Sequence, residues 1–412
     1  MARPYREIFA RPGARAFCAA GVVARLPMSM VGIAIILIVS GQYGSYALAG
    51  RVSAALVVTS ALTAPQIARL VDQHGQARVM RPAVVVGSAG LATLAVAVAT
   101  HANPAWLYAG AVLAGCGGNF GALVRARWSC VLAGEPRLVH TAYSLESALD
   151  ELVFVVGPVL ATALATSGLP QLGLLVPLAA VLTGGAWFVA QRHTEPPATA
   201  RVPGRRGGSV LRMRGVALLL VLFVGMGAIF SATDVSTVAF ATEQGHKGAA
   251  GLVLAAFALG SMTAGLLYGA RHWRTSQARR FATGIVVLAL GVCLFLLVGN
   301  LVSLAATMFV VGFAISPSII AGNGLMAQLV PAGRLTEGLT WIATAINVGV
   351  SLGAAAAGSR VDAAGSHGGY LLIVGVAAVV VVLTLLAYPG MRRAGRPAAH
   401  DEEPAPVAAA SS

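Results

Sequence analysis

The stretch Gly134–Asp150 reads GEPRLVHTAYSLESALD, and Pro331–Asn347 reads PAGRLTEGLTWIATAIN. Each opens on turn residues, carries one arginine, and runs into a segment of small, apolar and hydroxyl residues. Setting Arg137 on Arg334 gives an offset of 334 − 137 = 197. The same offset puts Ala68 on Gly265, Gly115 on Gly312 and Asp150 on Asn347. One constant shift across three pairs of apolar segments predicts a chain built twice. The halves share one orientation, and a binding site is expected near the midplane between them.

The composition around these stretches is that of a membrane protein. The 412 residues are 57% hydrophobic and only 10% charged, where a soluble domain carries roughly 25% charged residues; mean hydropathy is +0.81. Apolar runs fall at 16–39, 46–70, 81–100, 104–126, 141–166, 171–191, 215–240, 250–270, 281–299, 302–328, 337–358 and 369–389. Each is close to the ~20 residues that cross a bilayer as a helix. The runs are continuous rather than alternating, which excludes a β-barrel and leaves helices as the only way to satisfy the backbone in hydrocarbon. The fold class expected is an all-α membrane protein of twelve spans, in two six-helix parallel-repeat halves.

The net charge of +14 would suggest nucleic acid in a soluble protein. Here the arginines sit in short stretches between spans, so they carry topology and no nucleic-acid partner is implied. Alternate connections hold Arg3 to Arg15, Arg69 to Arg81, Arg137, Arg192 to Arg214, Arg271 to Arg280, Arg334 and Arg392 to Arg396, while the others hold only Arg51, Lys247 and Arg360. Basic loops stay cytoplasmic, so both termini are expected there, in a multi-pass protein of the cell membrane. The expected organisation is an N-terminal half over 1–191, a flexible basic linker over 192–214, a C-terminal half over 215–390 and a disordered tail over 391–412. Met1–Arg15 and the run after it lack a small-residue cleavage site and read as a first span rather than a leader. The four cysteines form no C-x-x-C pair, so neither a disulfide framework nor a metal site is implied. Gly204–Ser209 lacks the lysine of a phosphate-binding loop, and no cofactor is expected.

Charges within spans cost roughly +2.5 to +3.5 kcal/mol each and are functional candidates by default. Span five holds Glu146, Asp150 and Glu151. The first two are one helical turn apart and share a face; Glu151 points about 100° away. Arg25 in span one reaches a similar depth, while Arg125 and Arg127 close span four. Two readings of this set stand open: a titratable cluster that carries protons, with Arg25 competing for the carboxylate, or a static network pinning spans one, four and five. Glu146 and Arg127, nearer the interface, fit the static reading. Asn119, Asp234, Asn323, Asn347 and Trp341 are the candidates to line a cavity. Gly157–Pro158 is expected to kink span five.

Over its whole length the chain resembles the major facilitator superfamily. That family's connection between spans two and three carries G-x-x-x-D-[RK]-x-G-x-[RK]-[RK]; Asp72, Gly75 and Arg78 match it here, while Ala68, Gln73 and Ala77 depart. The resemblance implies that Gly75 makes a tight turn and that Asp72 pairs with basic groups of the other half, latching one conformation. Gly157–Pro158 is similar to the Gly-Pro element of family exporters. Span four has Ala111 where the family's proton antiporters carry an arginine, so coupling by that route is not implied. The function expected is secondary transport of a small organic solute by alternating access, with proton-coupled efflux by a monomer as the main reading. An importer, an uncoupled facilitator or a non-transporting receptor are its rivals, and no enzymatic constellation is present.

Overall fold

The computed structural model describes residues 2–165, 169–198, 209–213, 215–246 and 249–394. A short helix, α1 (Ala2–Phe9), leads into α2 (Ala14–Tyr43), α3 (Tyr46–His74), α4 (Gln76–Ala99), α5 (Pro104–Gly115), α6 (Phe120–Val131), α7 (Pro136–Ala165) and α8 (Leu172–Ala190). The second half holds α9 (Val216–Glu243), α10 (Ala250–Ala270), α11 (Gln277–Cys293), α12 (Leu301–Leu329) and α13 (Leu335–Ala394).

Among the described residues eleven stretches are long and apolar enough to cross a membrane, and the last of them, Ala332–Arg392, runs 61 residues. At 1.5 Å per residue that is ~90 Å, about three bilayer cores. It is broken at Ala364 (φ −145°, ψ 21°) and Gly365 (φ 65°, ψ −168°), where glycine supplies the left-handed backbone the reversal needs. It therefore crosses twice, and the chain makes twelve crossings. An even number returns both ends of the bundle to one side, the side on which most arginines lie; we call it the basic face.

Several helices outrun the apolar runs read from the sequence. α2 and α7 each have 30 residues, about 45 Å, which spans the headgroup layers as well as the hydrocarbon. Polar residues such as Arg137 and His140 are therefore helical although hydropathy stops short of them. Span four is the larger departure. It is not one helix but two, α5 and α6, parted at Cys116–Asn119. Gly118 sits at φ 80°, and Asn119 restarts the helix by accepting the Ala122 N–H at 3.2 Å, as an N-cap side chain does.

Each half has its own apolar interior. Phe17, Leu94, Leu123, Trp128 and Phe188 centre the first. In the second, Phe223, Phe281 and Met326 pack toward the basic face, with Phe240, Phe295 and Tyr370 toward the other. Gly349 and Gly353, one turn apart, bring α13 onto the backbone of Val224 and Ala228 in α9, where a Cβ would collide; small residues at such spacing allow close helix packing in a membrane. The described ends of the linker are packed rather than loose. Thr194 and Val210 are buried, and short 3-10 turns form at Arg192–Thr194 and Val210–Arg212. Ser167, the middle of the linker at 199–208 and the tail beyond 394 lie outside the described residues.

Candidate functional site

The charges of span five meet partners from two other spans of the same half. Arg25, on α2, forks between the acids on the shared face of α7: Nη2 donates to Glu146 Oε2 at 2.6 Å and Nη1 to Asp150 Oδ1 at 2.7 Å. Arg125, on α6, donates from Nη2 to Asp150 Oδ2 at 2.7 Å. The remaining Glu146 oxygen, Oε1, accepts from Trp128 Nε1 at 2.7 Å and from Cys18 Sγ at 3.3 Å. Two guanidinium groups thus face two carboxylates, and the set is neutral. The Arg25 and Glu146 side chains are 1% and 0% exposed, while Asp150 keeps 23%. Glu146 is deeper than its place in the sequence suggested, because α7 starts earlier and α1 covers its end.

The break in span four shapes this cluster. It puts the start of α6 beside α2, and Gly121 leaves room for both arginines: a Cβ there would stand 3.3 Å from Arg125 Nη1 and 3.7 Å from Arg25 Cδ. Arg125 and Trp128, three apart on α6, share a face and engage Asp150 and Glu146 respectively. Arg127 points elsewhere. It is fully buried, donates to Gln76 Oε1 at 2.7 Å and to the Gln191 carbonyl at 2.9 Å, and lies 3.8 Å over the Phe188 ring. It ties the start of α4 to the chain leaving α8.

Glu151, one residue on from Asp150, faces the other half. Its Oε1 accepts from Ser261 Oγ of α10 at 2.6 Å, and Ser261 Oγ lies 3.0 Å from Ser316 Oγ of α12. Both serines are buried. Asp234, on α9, is exposed, and its charge acts on Glu151. Pro158 lies within α7, and Gly157 admits Ser29 of α2, whose Oγ donates to the Val153 carbonyl at 2.9 Å.

The halves are hydrogen-bonded together between the basic face and mid-membrane. Tyr5 Oη donates to the Leu266 carbonyl at 2.7 Å, Thr141 Oγ1 to the Gly269 carbonyl at 2.8 Å, and His140 Nε2 lies 3.1 Å from the Tyr268 carbonyl. Asp72 accepts the backbone N–H of Thr336 at 3.3 Å and of Glu337 at 2.8 Å. Its donors are thus the orphan amides at the start of α13 rather than the basic side chains expected, since a helix N-terminus offers unpaired N–H groups and a positive dipole end. Gly75, at φ 89°, joins α3 to α4, and Arg78 is exposed beside it.

The cavity candidates scatter. Asn119 caps α6 near Arg125, Asn323 is buried in α12, and Trp341 is half-buried with a buried Nε1 that has no hydrogen-bond partner among the described residues. Asn347, the repeat partner of Asp150, lies on an exposed face of α13. Ser261 and Ser316 were not singled out from the sequence; a serine in an apolar span carries no signal of its own.

The comparisons agree with this architecture. A family model described as Major Facilitator Superfamily matches residues 17–270 and 235–411. No curated protein matches by sequence. Among solved structures, a bacterial homologue of the iron transporter ferroportin in an outward-facing state superposes with a TM-score of 0.74 at 14% identity, covering 92% of this chain and 99% of that one. The human organic anion transporter MFSD10 (TETRAN) gives 0.71 at 16% identity, covering 90% and 99%. The transporter FucP in its outward conformation gives 0.70 at 14%, covering 91% and 98%. With a family model matching nearly end to end and twelve spans in two halves around a charged centre, the chain belongs to the Major Facilitator Superfamily of membrane transporters.

Proposed function

We propose that the chain is a secondary active transporter that exports a small organic solute in exchange for protons, by rocking its two halves about the cavity between them. The basic face is the cytoplasmic one on the positive-inside rule, so the hydrogen bonds that tie the halves near that face describe an outward-facing state. Asp72, with Gly75 and Arg78 around the turn, acts as the latch of that state. Asp150, Glu151, Glu146 and Arg25 form the coupling region, and Asn119 and Asp234 border the solute path. One observation carries this reading: ionisable side chains gathered at mid-membrane directly beside a seam between halves that is bonded toward one face. A static scaffold has no need of carboxylates at that seam, whereas proton-coupled exchange needs a group there that can take up and release a proton.

The test is transport in proteoliposomes with an imposed pH gradient and a panel of labelled organic solutes. Export coupled to proton entry is expected for at least one chemical class. Solute flux indifferent to the gradient would leave an uncoupled facilitator, and flux driven with the protons an importer.

A further inference from the structure

Asp150 and Glu151 are adjacent on α7, but the ~100° turn between them sends them into opposite surroundings. Both Asp150 oxygens are held by guanidinium groups, from Arg25 and from Arg125. Glu146 is held by Arg25, Trp128 and Cys18. Adding a proton to either acid unbalances a neutral set and leaves an arginine uncompensated in a buried site. Glu151 is different. Its donor is a neutral hydroxyl, Ser261 Oγ at 2.6 Å, and among the described residues no basic side chain pairs with it. The charges that act on it are those of Asp150 on its own helix and Asp234 on α9; from α10 it accepts the hydroxyl of Ser261, which in turn reaches Ser316 of α12. It is also partly exposed, so water can reach it.

We propose that Glu151, and not Asp150, is the proton-carrying carboxylate, and that Ser261 and Ser316 of the opposite half sense whether it is charged. This rests on the proton-coupled reading above. Ser261 has one proton to give. While Glu151 is ionised that proton is committed to it, and Ser316 must donate to Ser261. When a proton from the open side adds to the carboxylate, Glu151 becomes the donor, Ser261 turns toward Ser316, and the bond across the seam loses its charge assistance, roughly half its strength. Gly265 holds the relay in register, since a Cβ there would stand 3.1 Å from the Ser316 side chain. The protonated carrier is released to open its basic face, where the O–H bond breaks and the proton leaves to water. That transition, from outward to inward without solute, is the one a proton-driven exporter must power.

The experiment needs no known solute. Spin labels at His74→Cys and Arg271→Cys, both exposed on the basic face on opposite halves, report its opening in proteoliposomes, with Cys116, Cys130 and Cys293 replaced by serine. The wild type is expected to shift toward the longer label–label distance as pH falls. Glu151→Gln, which copies the neutral acid, should show the long distance at every pH, and Asp150→Asn should still shift with pH, its midpoint moved to lower pH because a negative charge beside Glu151 is gone. If Asp150→Asn does not fold, Asp150→Asn with Arg125→Gln, which leaves the Arg25–Glu146 pair intact, replaces it. If Glu151→Gln does not fold, Ser261→Ala decides, expected to populate the long distance even at high pH. A full shift in Glu151→Gln, a lost shift in the Asp150 variant, or a wild-type distribution in Ser261→Ala overturns the assignment while leaving proton coupling in place. A wild type whose distances ignore pH overturns the proton-coupled reading itself, and this assignment with it.

Discussion

The carboxylate of Asp72 accepts the backbone N–H of Glu337 at 2.8 Å, although 265 residues of chain separate them. It thereby caps the helix that begins span eleven from the other half of the molecule. A charge at a helix N-terminus contributes about 0.3–1 kcal/mol, and up to about 2 when partly buried. Asp72→Asn retains an acceptor but loses the charge. It is expected to move the equilibrium away from the state closed at the basic face by roughly two- to thirtyfold, with a wild-type melting temperature. The His74–Arg271 label–label distance across the basic face measures it; an unchanged distance distribution in a well-folded variant would remove the latch role.

The Arg25–Glu146 pair is the buried centre of the first half. Glu146→Gln strands Arg25 and is expected to cost roughly 3–5 kcal/mol, read as a large drop in melting temperature in detergent. Asp150→Asn should cost less, because that side chain is 23% exposed. Adding Arg125→Gln to Asp150→Asn should recover most of the loss. If the double variant melts lower than Asp150→Asn alone, Arg125 is stabilised by something other than the acid.

Gly269 and Gly349 predict contrasting outcomes for the same substitution. A Cβ at Gly269 would run into Ser144 of the opposite half and stand 2.8 Å from Tyr5 Oη, whereas a Cβ at Gly349 would strike the Val224 backbone within its own half. Gly269→Ala is therefore expected to wedge the basic face open without unfolding, and Gly349→Ala to lower the melting temperature without changing the label–label distance across the seam. Equal loss of stability in both would show that the seam is not free to open.

Orientation has a direct test. His74 and Thr100 are exposed at opposite ends of the spans they close. Cysteines placed at the two positions should label from opposite sides of the cell membrane, His74 from the cytoplasm. Labelling of both from one side contradicts the topology.

The spans were legible because hydrophobic length and arginine rhythm are local properties, and the buried acids because a charge in an apolar run is conspicuous. The resemblance also pointed to Asp72, although not to its partners. The break in span four was hidden. Gly117–Gly118–Asn119 is a turn signal, but the apolar residues on both sides read as one continuous helix. Which way Glu151 points was legible from the 100° step; what it meets was not. Ser261 lies 110 residues away, and the register between two helices of different halves is set by packing along their whole length. Asn347 shows the limit of the repeat. Its offset matches Asp150, yet it lies exposed on α13 while Asp150 is held by two arginines.

Each described end of the linker is fastened to the half it belongs to. Glu195 Oε1 accepts the Ala77 N–H at 2.8 Å at the start of α4. Ser209 Oγ and the Val210 N–H donate to Glu337 Oε1 at 3.0 and 3.1 Å. The covalent join is then not what keeps the bundles together. Two polypeptides produced from a gene divided between Glu195 and Ser209 should each insert, find one another in the bilayer and purify as a pair on a tag carried by one of them. Fragments that insert but never co-purify would mean that assembly needs the tether to hold its two ends at high local concentration.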